Sequence, residues 1–262
     1  MTRRIALVLE YEGTVYAGFQ FQPNAPTIQD EVEQAVERLT GVRPRLKGAG
    51  RTDAGVHAIG QVAAFDTESS LAVERFRLGL SRYLPEDITV IAAYEAPPGF
   101  DPRRHAFARV YRYTLLERAA RSPIRRRSIH QVDRGLDIEA MSEALGHLVG
   151  ERDFAPFSGY VPEGKSTVRR MLRAEAWRSY EREDEVHLEL EANAFLPQQV
   201  RRTAAAVLEV GTGRMTPDAF RALAGSDKRG AAARVLPAKG LCLRQVKYEG
   251  FPPESHAAAT DH

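Results

Sequence analysis

The residue whose type and setting could do chemistry is Asp53. It lies in Gly48-Ala49-Gly50-Arg51-Thr52-Asp53-Ala54-Gly55-Val56-His57-Ala58, which sets three glycines, an arginine and a carboxylate into eleven residues between two strand-like segments. Glycine accepts positive φ and lets another molecule approach the main chain closely. The carboxylate therefore reads as held on a tightly shaped loop at the rim of a sheet, with a cation two residues before it. The plain alternative is turn chemistry, in which Asp bonds only its own backbone; on spacing alone that is the simpler reading. Two nucleotide-binding motifs are excluded. A Rossmann fingerprint needs a third glycine where Asp53 stands, and a P-loop needs Lys and Ser or Thr after Gly55, where Val56-His57 follows. His57 invites a metal reading with Asp53, but two ligands are too few, and a hydrogen-bonded structural histidine fits better.

Such a loop needs a frame, and the surrounding periodicities supply one. Arg3–Tyr11 alternates, with Ile5, Leu7, Leu9 and Tyr11 on one face, and is predicted to be a strand. Thr27-Ile28-Gln29-Asp30 resembles a capping box after Pro26. Ile28, Val32, Ala35, Val36 and Leu39 then recur at helical spacing until Gly41. Residues 43–47 read as a short strand into the glycine loop and residues 56–65 as another. Val73, Phe76, Leu80 and Leu84 mark a helix stopped by Pro85, and residues 88–95 a fourth strand. The order is β-α-β-β-α-β, the ferredoxin-like split motif, with the glycine loop joining its second and third strands. A Pro, Gly and charge cluster at 97–105 is the candidate domain boundary.

The second half repeats that order with insertions. It reads as a strand at 107–116, a helix capped by Asp137, a long hairpin from 168–180 and 185–193, and a helix at 197–210 closed by Gly211. A short extra helix at 216–224 and a last strand, Leu241–Tyr248, follow. The expected fold is thus α+β, with two tandem ferredoxin-like (βαββαβ) halves joined into one mixed or antiparallel sheet with a central cleft. The expected divisions are 1–103 for the half carrying the glycine loop, 104–250 for the second half, and 251–262 for a loose tail.

The chain has 262 residues, 43% hydrophobic and 27% charged, ordinary for a globular protein with a sizeable core. The apolar run at 5–9 is too short for a signal peptide, and no stretch approaches a membrane span. The single Cys242 excludes an internal disulfide and a cysteine-built metal site, and a cytoplasmic protein is the simplest inference. The net charge of +2 is unevenly spread: arginines 103, 104, 109, 112, 118, 121, 125, 126 and 127 face one acid, Glu117, within their stretch. A local basic stripe interleaved with Tyr111 and Tyr113 suits a polyanion with unpaired bases, and a solvated arginine face is the plain alternative.

The run at 48–58 resembles the signature of the tRNA pseudouridine synthase A family. The resemblance covers most of the chain. Arg109-Val110-Tyr111-Arg112-Tyr113 is similar to the family's Tyr-Arg-Tyr strand. Ala192-Asn193-Ala194-Phe195 followed by Val200-Arg201 is similar to its helix entry and helix arginine. Gly240-Leu241-Cys242-Leu243 resembles its final strand, and Gly150-Glu151-Arg152-Asp153-Phe154 also fits. The resemblance implies the pseudouridine synthase fold and isomerisation of uridine to pseudouridine in the anticodon stem-loop of tRNA, without metal or nucleotide cofactor. It implies Asp53 as nucleophile, Tyr111 stacked on a flipped uracil, Leu241 against the ring's other side, and Arg51 or Arg201 paired with Asp53. It implies tRNA as partner and a homodimer.

One departure stands out. Pro197-Gln198-Gln199 precedes Val200-Arg201-Arg202, where relatives usually carry His or other residues and then Met before Val-Arg-Asn. The competing readings are a non-catalytic RNA-binding protein of two ferredoxin-like units and a metal hydrolase using Asp53 and His57.

Overall fold

The computed structural model of the chain describes residues 1–133 and 135–251. Two compact units are present, Met1–Ala108 with the segment from Leu243 onward, and Arg109–Cys242.

The first unit runs β1 (Arg3–Tyr11), α1 (Ile28–Thr40), β2 (Lys47–Gly48), β3 (His57–Thr67), α2 (Val73–Leu80) and β4 (Ile88–Ala96). β1 lies between β3 and β4, antiparallel to both, and β2 pairs with β3. Ile5, Leu7 and Leu9 of β1 are fully buried, as are Phe65 of β3 and Phe76 of α2, whose rings meet edge to face at 5.8 Å. α1 starts where the sequence places it, because the Thr27 hydroxyl accepts the Asp30 N–H at 3.3 Å. It ends at Gly41, which takes φ +81°.

The strand expected at 43–47 is reduced to β2. Its backbone groups go elsewhere: the Leu46 N–H donates to the buried Glu33 carboxylate at 2.9 Å and the Leu46 carbonyl accepts from Gln29 Nε2 at 3.2 Å. Both partners lie on α1 and take up the backbone groups of Leu46, so pairing with β3 starts only at Lys47.

The second unit contains most of β5 (Ala106–Glu117), then β6 (His130–Val132), α3 (Ile138–Gly146), β7 (Gly150–Asp153), β8 (Val168–Arg178), β9 (Glu185–Ala192), α4 (Gln199–Gly211) and α5 (Pro217–Ala224). β9 sits between β5 and β8, and β7 flanks β8 at the end of the order. All these pairings are antiparallel, and β6 adds a parallel one to β5. β6 and β7 are short and polar, and no alternation announces them. The last strand, β10 (Leu241–Tyr248), neighbours β3. The molecule is α+β, and β-α-β-β-α-β is the order of its principal elements twice over.

Two expectations at α4 are corrected. The helix begins at Gln199 rather than Pro197, because Gln198 takes the left-handed conformation at φ 60° and Pro197 stays outside the helix. Gly211 is the last helical residue rather than a stop signal. A Cβ there would collide with the Met141 side chain on α3, so glycine serves close helix packing. Phe251 packs against Tyr94, Phe100 and Tyr248; the rest of the expected tail, 252–262, lies outside the described residues. No helix among the described residues is long and apolar enough to cross a membrane.

Candidate active site

Asp53 opens a β-turn. Its carbonyl accepts the Val56 N–H at 3.1 Å, and Gly55, third in the turn, has φ +77°. Positive φ at that position alone is the type II geometry, which demands glycine. The rest of the loop is held from several sides. The Thr52 carbonyl accepts the Phe19 N–H at 3.1 Å, the Thr52 hydroxyl meets the Tyr11 hydroxyl at 2.8 Å, and Gln61 Nε2 donates to the Gly50 carbonyl at 2.8 Å. Gly55 N–H reaches the Tyr16 carbonyl at 3.3 Å. Segment 13–19 lies so close that a Cβ on Gly18 would stand 2.7 Å from the Thr52 carbonyl oxygen.

Thr52 and His57 on either side are buried, while Arg51 and Asp53 are exposed. The loop thus clamps its backbone and presents two charged side chains. Arg51 is not needed to hold the turn, which backbone groups, Thr52 and Gln61 already close. His57 has the structural role expected of it: its Nδ1 accepts the Gly13 N–H at 3.1 Å. Among the described residues no group of three or more His, Cys, Asp or Glu side chains could hold a metal ion.

In the second unit, Tyr111 lies at the middle of β5, opposite Leu190 of β9, and is buried. The Phe195 ring meets it edge to face, centroids 5.2 Å apart at 83°. Two residues along β5, Tyr113 is fully buried and donates its hydroxyl to the Pro237 carbonyl at 2.8 Å. Gly240 approaches this ring so closely that a Cβ would lie 2.5 Å from it. Arg201 on α4 donates its Nε to the Leu236 carbonyl at 2.7 Å, and the Leu236 N–H returns to the Arg201 carbonyl at 3.3 Å. Burial pushes the Tyr113 phenol above its ordinary range, while Arg201 and Arg234 draw it back down. The segment 236–240 is therefore fastened to both β5 and α4. Leu241, its immediate continuation, is buried at the start of β10. So this unit ties Tyr113, Arg201 and the segment leading to Leu241 together, with Tyr111 two residues along β5 from Tyr113. Phe195 is the residue that spacing alone left without a role, and Tyr113, expected with Tyr111 to serve unpaired bases among the arginines, is instead sealed in the core; glycine at 240, needed beside an aromatic, was the available signal.

The departure at 197–199 rebuilds the entry to α4. Arg202 Nε and an amino group donate to Gln198 Oε1 at 3.3 and 3.1 Å, and its other amino group to the Ala232 carbonyl at 2.7 Å. Gln199 Oε1 accepts the Leu196 N–H at 2.8 Å. Gln198 thus seats Arg202 and Gln199 ties back the segment before the helix, while no side chain among the described residues caps the helix start itself.

The arginine stripe is not a uniform band of available charge. Arg112 pairs with Glu189 at 2.8 Å and lies over the Trp177 ring at 5.1 Å. Arg125 pairs with Asp184 at 2.8 Å and Glu185 at 2.6 Å, and Arg118 reaches Asp184 at 3.7 Å. Buried Arg109 donates to the Asn193 carbonyl at 2.7 Å. Arg121 and Arg126 remain exposed at the surface. For Arg112, Arg118 and Arg125 the stripe reading gives way to pairing with acids about sixty to eighty residues away in sequence.

Comparison with known proteins adds the family. A family model described as tRNA pseudouridine synthase matches residues 7–103 and 144–249. Arg51 and Asp53 fall in the first segment, Arg201 and Leu241 in the second, and Tyr111 between the two. A tRNA pseudouridine synthase A of Myxococcus xanthus is 42% identical over 252 residues, 95% of this chain and 94% of that one. One of Geotalea uraniireducens is 42% identical over 246 residues, 94% of this chain and 100% of that one. One of a Roseiflexus species is 43% identical over 266 residues, 99% of this chain and 94% of that one. The chain belongs to the tRNA pseudouridine synthase A family.

Proposed function

We propose that the chain isomerises uridine to pseudouridine in the anticodon stem-loop of tRNA, with Asp53 as nucleophile. Membership of a synthase family displaces the non-catalytic RNA-binding reading. The observation that carries the assignment of Asp53 is the clamped type II turn, which holds a carboxylate on a rigid backbone while leaving its side chain exposed.

The reaction breaks the bond between the ribose and N1 of uracil and forms one between the ribose and C5. The proton lost from C5 is matched by one gained at N1, so no electrons, groups or cofactors are exchanged. A carboxylate that bonds covalently to the substrate divides this into two easier steps. The target base must leave its stack, at a cost of a few kcal/mol that is least near loops. Tyr111 stacks on the extruded uracil, with Phe195 fixing the tyrosine ring edge-on. Leu241 covers the other side of the base. Arg201, which donates to the Leu236 carbonyl, or Arg51 on the same loop as Asp53, is the cation that pairs with Asp53. The protein works as a homodimer in the cytoplasm; exposed Ile124, Tyr160 and Tyr180 are apolar surface that a partner subunit would cover.

The test is tritium release from 5-tritiated uridine in unmodified tRNA transcripts, with no metal or cofactor added. Wild type is expected to release tritium and Asp53→Ala none. Absence of release by wild type, with tight tRNA binding retained, would overturn the proposal.

A further inference from the structure

Arg152 on β7 and Arg169 on β8 stand directly opposite each other across an antiparallel pair. Like charges so placed repel. Each is only partly exposed, and the Nε of each is buried without an acceptor. Arg169 turns one amino group to the carbonyls of Ser166 at 3.0 Å and Val168 at 2.6 Å. Neither guanidinium is in an ion pair among the described residues. Asp153, the acid felt by Arg169, already accepts the Ala155 N–H at 2.8 Å. Burial pushes the Arg169 guanidinium below its ordinary range, with Asp153 opposing.

The contrast within the same strand is sharp. Arg173, also on β8, is held by Glu175 and Glu189. Arg173 thus meets carboxylates on its own strand and on β9, whereas Arg152 and Arg169 oppose each other and neither is in an ion pair among the described residues. Partly buried cations without an ion-pair partner are costly, and an anion from outside would offset that cost. Two guanidinium groups carried opposite each other on neighbouring strands suit a phosphate, which accepts hydrogen bonds from both. β7 ends the strand order, which leaves the pair at a sheet edge.

We propose that Arg152 and Arg169 form a phosphate clamp that takes one backbone phosphodiester of the tRNA. The proposal rests on the reading of the chain as a tRNA-modifying enzyme. It adds a positioning contact outside the residues that reading uses, and base identity does not enter it.

The test uses the full chain and an unmodified tRNA transcript, with equilibrium binding followed over a range of salt. Arg152→Gln and Arg169→Gln are each expected to weaken binding about tenfold at ~0.1 M salt, with the salt slope reduced by about one. The double variant should bind scarcely more weakly than either single one, because both arginines grip one phosphate. Arg152→Lys should weaken binding yet keep the wild-type slope, since it keeps charge and loses the fork. Melting temperature should hold or rise in the Gln variants, where repulsion is relieved.

Unchanged affinity and slope in both Gln variants would overturn the clamp. So would a fall in binding that tracks a fall in melting temperature in the Gln and Lys variants alike, which marks a structural pair. Inorganic phosphate at matched ionic strength should compete with tRNA on wild type and less on Arg152→Gln. Competition without any effect of the substitutions on tRNA affinity would assign a free-anion site and sink the RNA assignment. Wild-type tritium release on the same transcript separates failures: release with unaltered variant binding overturns the clamp alone, and no release overturns the functional reading.

Discussion

The glycine loop at 48–58 and the arginine-rich stretch at 103–127 are the two most distinctive parts of this sequence, and the fold treats them in opposite ways. The loop is held almost entirely through backbone groups and uncharged side chains: Thr52, Gln61, Tyr11 and the main chain of 13–19. Its two charged side chains are left exposed. The stretch instead engages much of its charge, through Glu189, Asp184, Glu185 and the Asn193 carbonyl. The loop's shape is set by its backbone, whereas the stretch's charges are part of what holds it.

The largest effects should come from the loop. Asp53→Asn preserves shape and removes the nucleophile. Turnover is expected to fall by on the order of 10³-fold or more, while tRNA affinity stays within about threefold. Tritium release alongside equilibrium binding measures both; substantial residual turnover would move the nucleophile elsewhere.

Gly18→Ala tests the clamp rather than the carboxylate. Gly18 has φ +102°, and the added methyl would lie 2.7 Å from the Thr52 carbonyl oxygen. A loss of roughly 1–3 kcal/mol is expected from strain and the displaced carbonyl, with kcat falling because Asp53 moves with Thr52. Wild-type stability and rate in this variant would mean that segment 13–19 merely lies beside the loop.

The same contrast explains what the sequence disclosed. Gly55, Gly41 and the Thr27 cap are local requirements: a positive φ or a cap involves residues within a few positions, so the pattern carries them. The alternation of β1 and the helical spacing of α1 are local too. What stayed hidden depends on partners far along the chain. Glu33 and Gln29 take the hydrogen bonds of Leu46, and the expected strand shrinks to the two residues of β2. Met141 requires the glycine at 211. Asp184 and Glu185 neutralise Arg125 from about sixty residues away. The candidate site divides likewise. The turn at Asp53 was legible because its neighbours encode it, while the role of its carboxylate was implied only by the family resemblance. Tyr111 and Arg201 look like any strand tyrosine and helix arginine until Phe195 and Leu236 are seen against them.

Smaller effects should sort the stretch itself. Arg121→Ala removes an exposed charge and Arg125→Ala one held between two acids. Arg121→Ala is expected to lower the salt slope of tRNA binding by up to about one with no change in melting temperature. Arg125→Ala should leave the slope nearly unchanged and lose within about 1 kcal/mol of stability, the range for partly exposed pairs. A reversed outcome, with Arg125→Ala flattening the slope, would restore the stretch as a continuous polyanion surface.

The finest test is the pH dependence of that stability difference. The Arg125 hydrogen bond, ahead of opposing burial, holds the Asp184 carboxyl below the usual range, and Arg118 adds to it. A carboxylate with a depressed folded-state pKa contributes stability that is complete above its unfolded value, near 4, and is lost as pH falls through the folded one. The difference in melting temperature between wild type and Arg125→Ala should therefore be flat from about pH 8 to pH 5 and shrink towards zero below about pH 4. Arg121→Ala should track wild type throughout. A difference that persisted into acid would mean that Arg125 acts through packing of its stem or through the carbonyls around it, and that charge pairing does not separate this stretch from the loop.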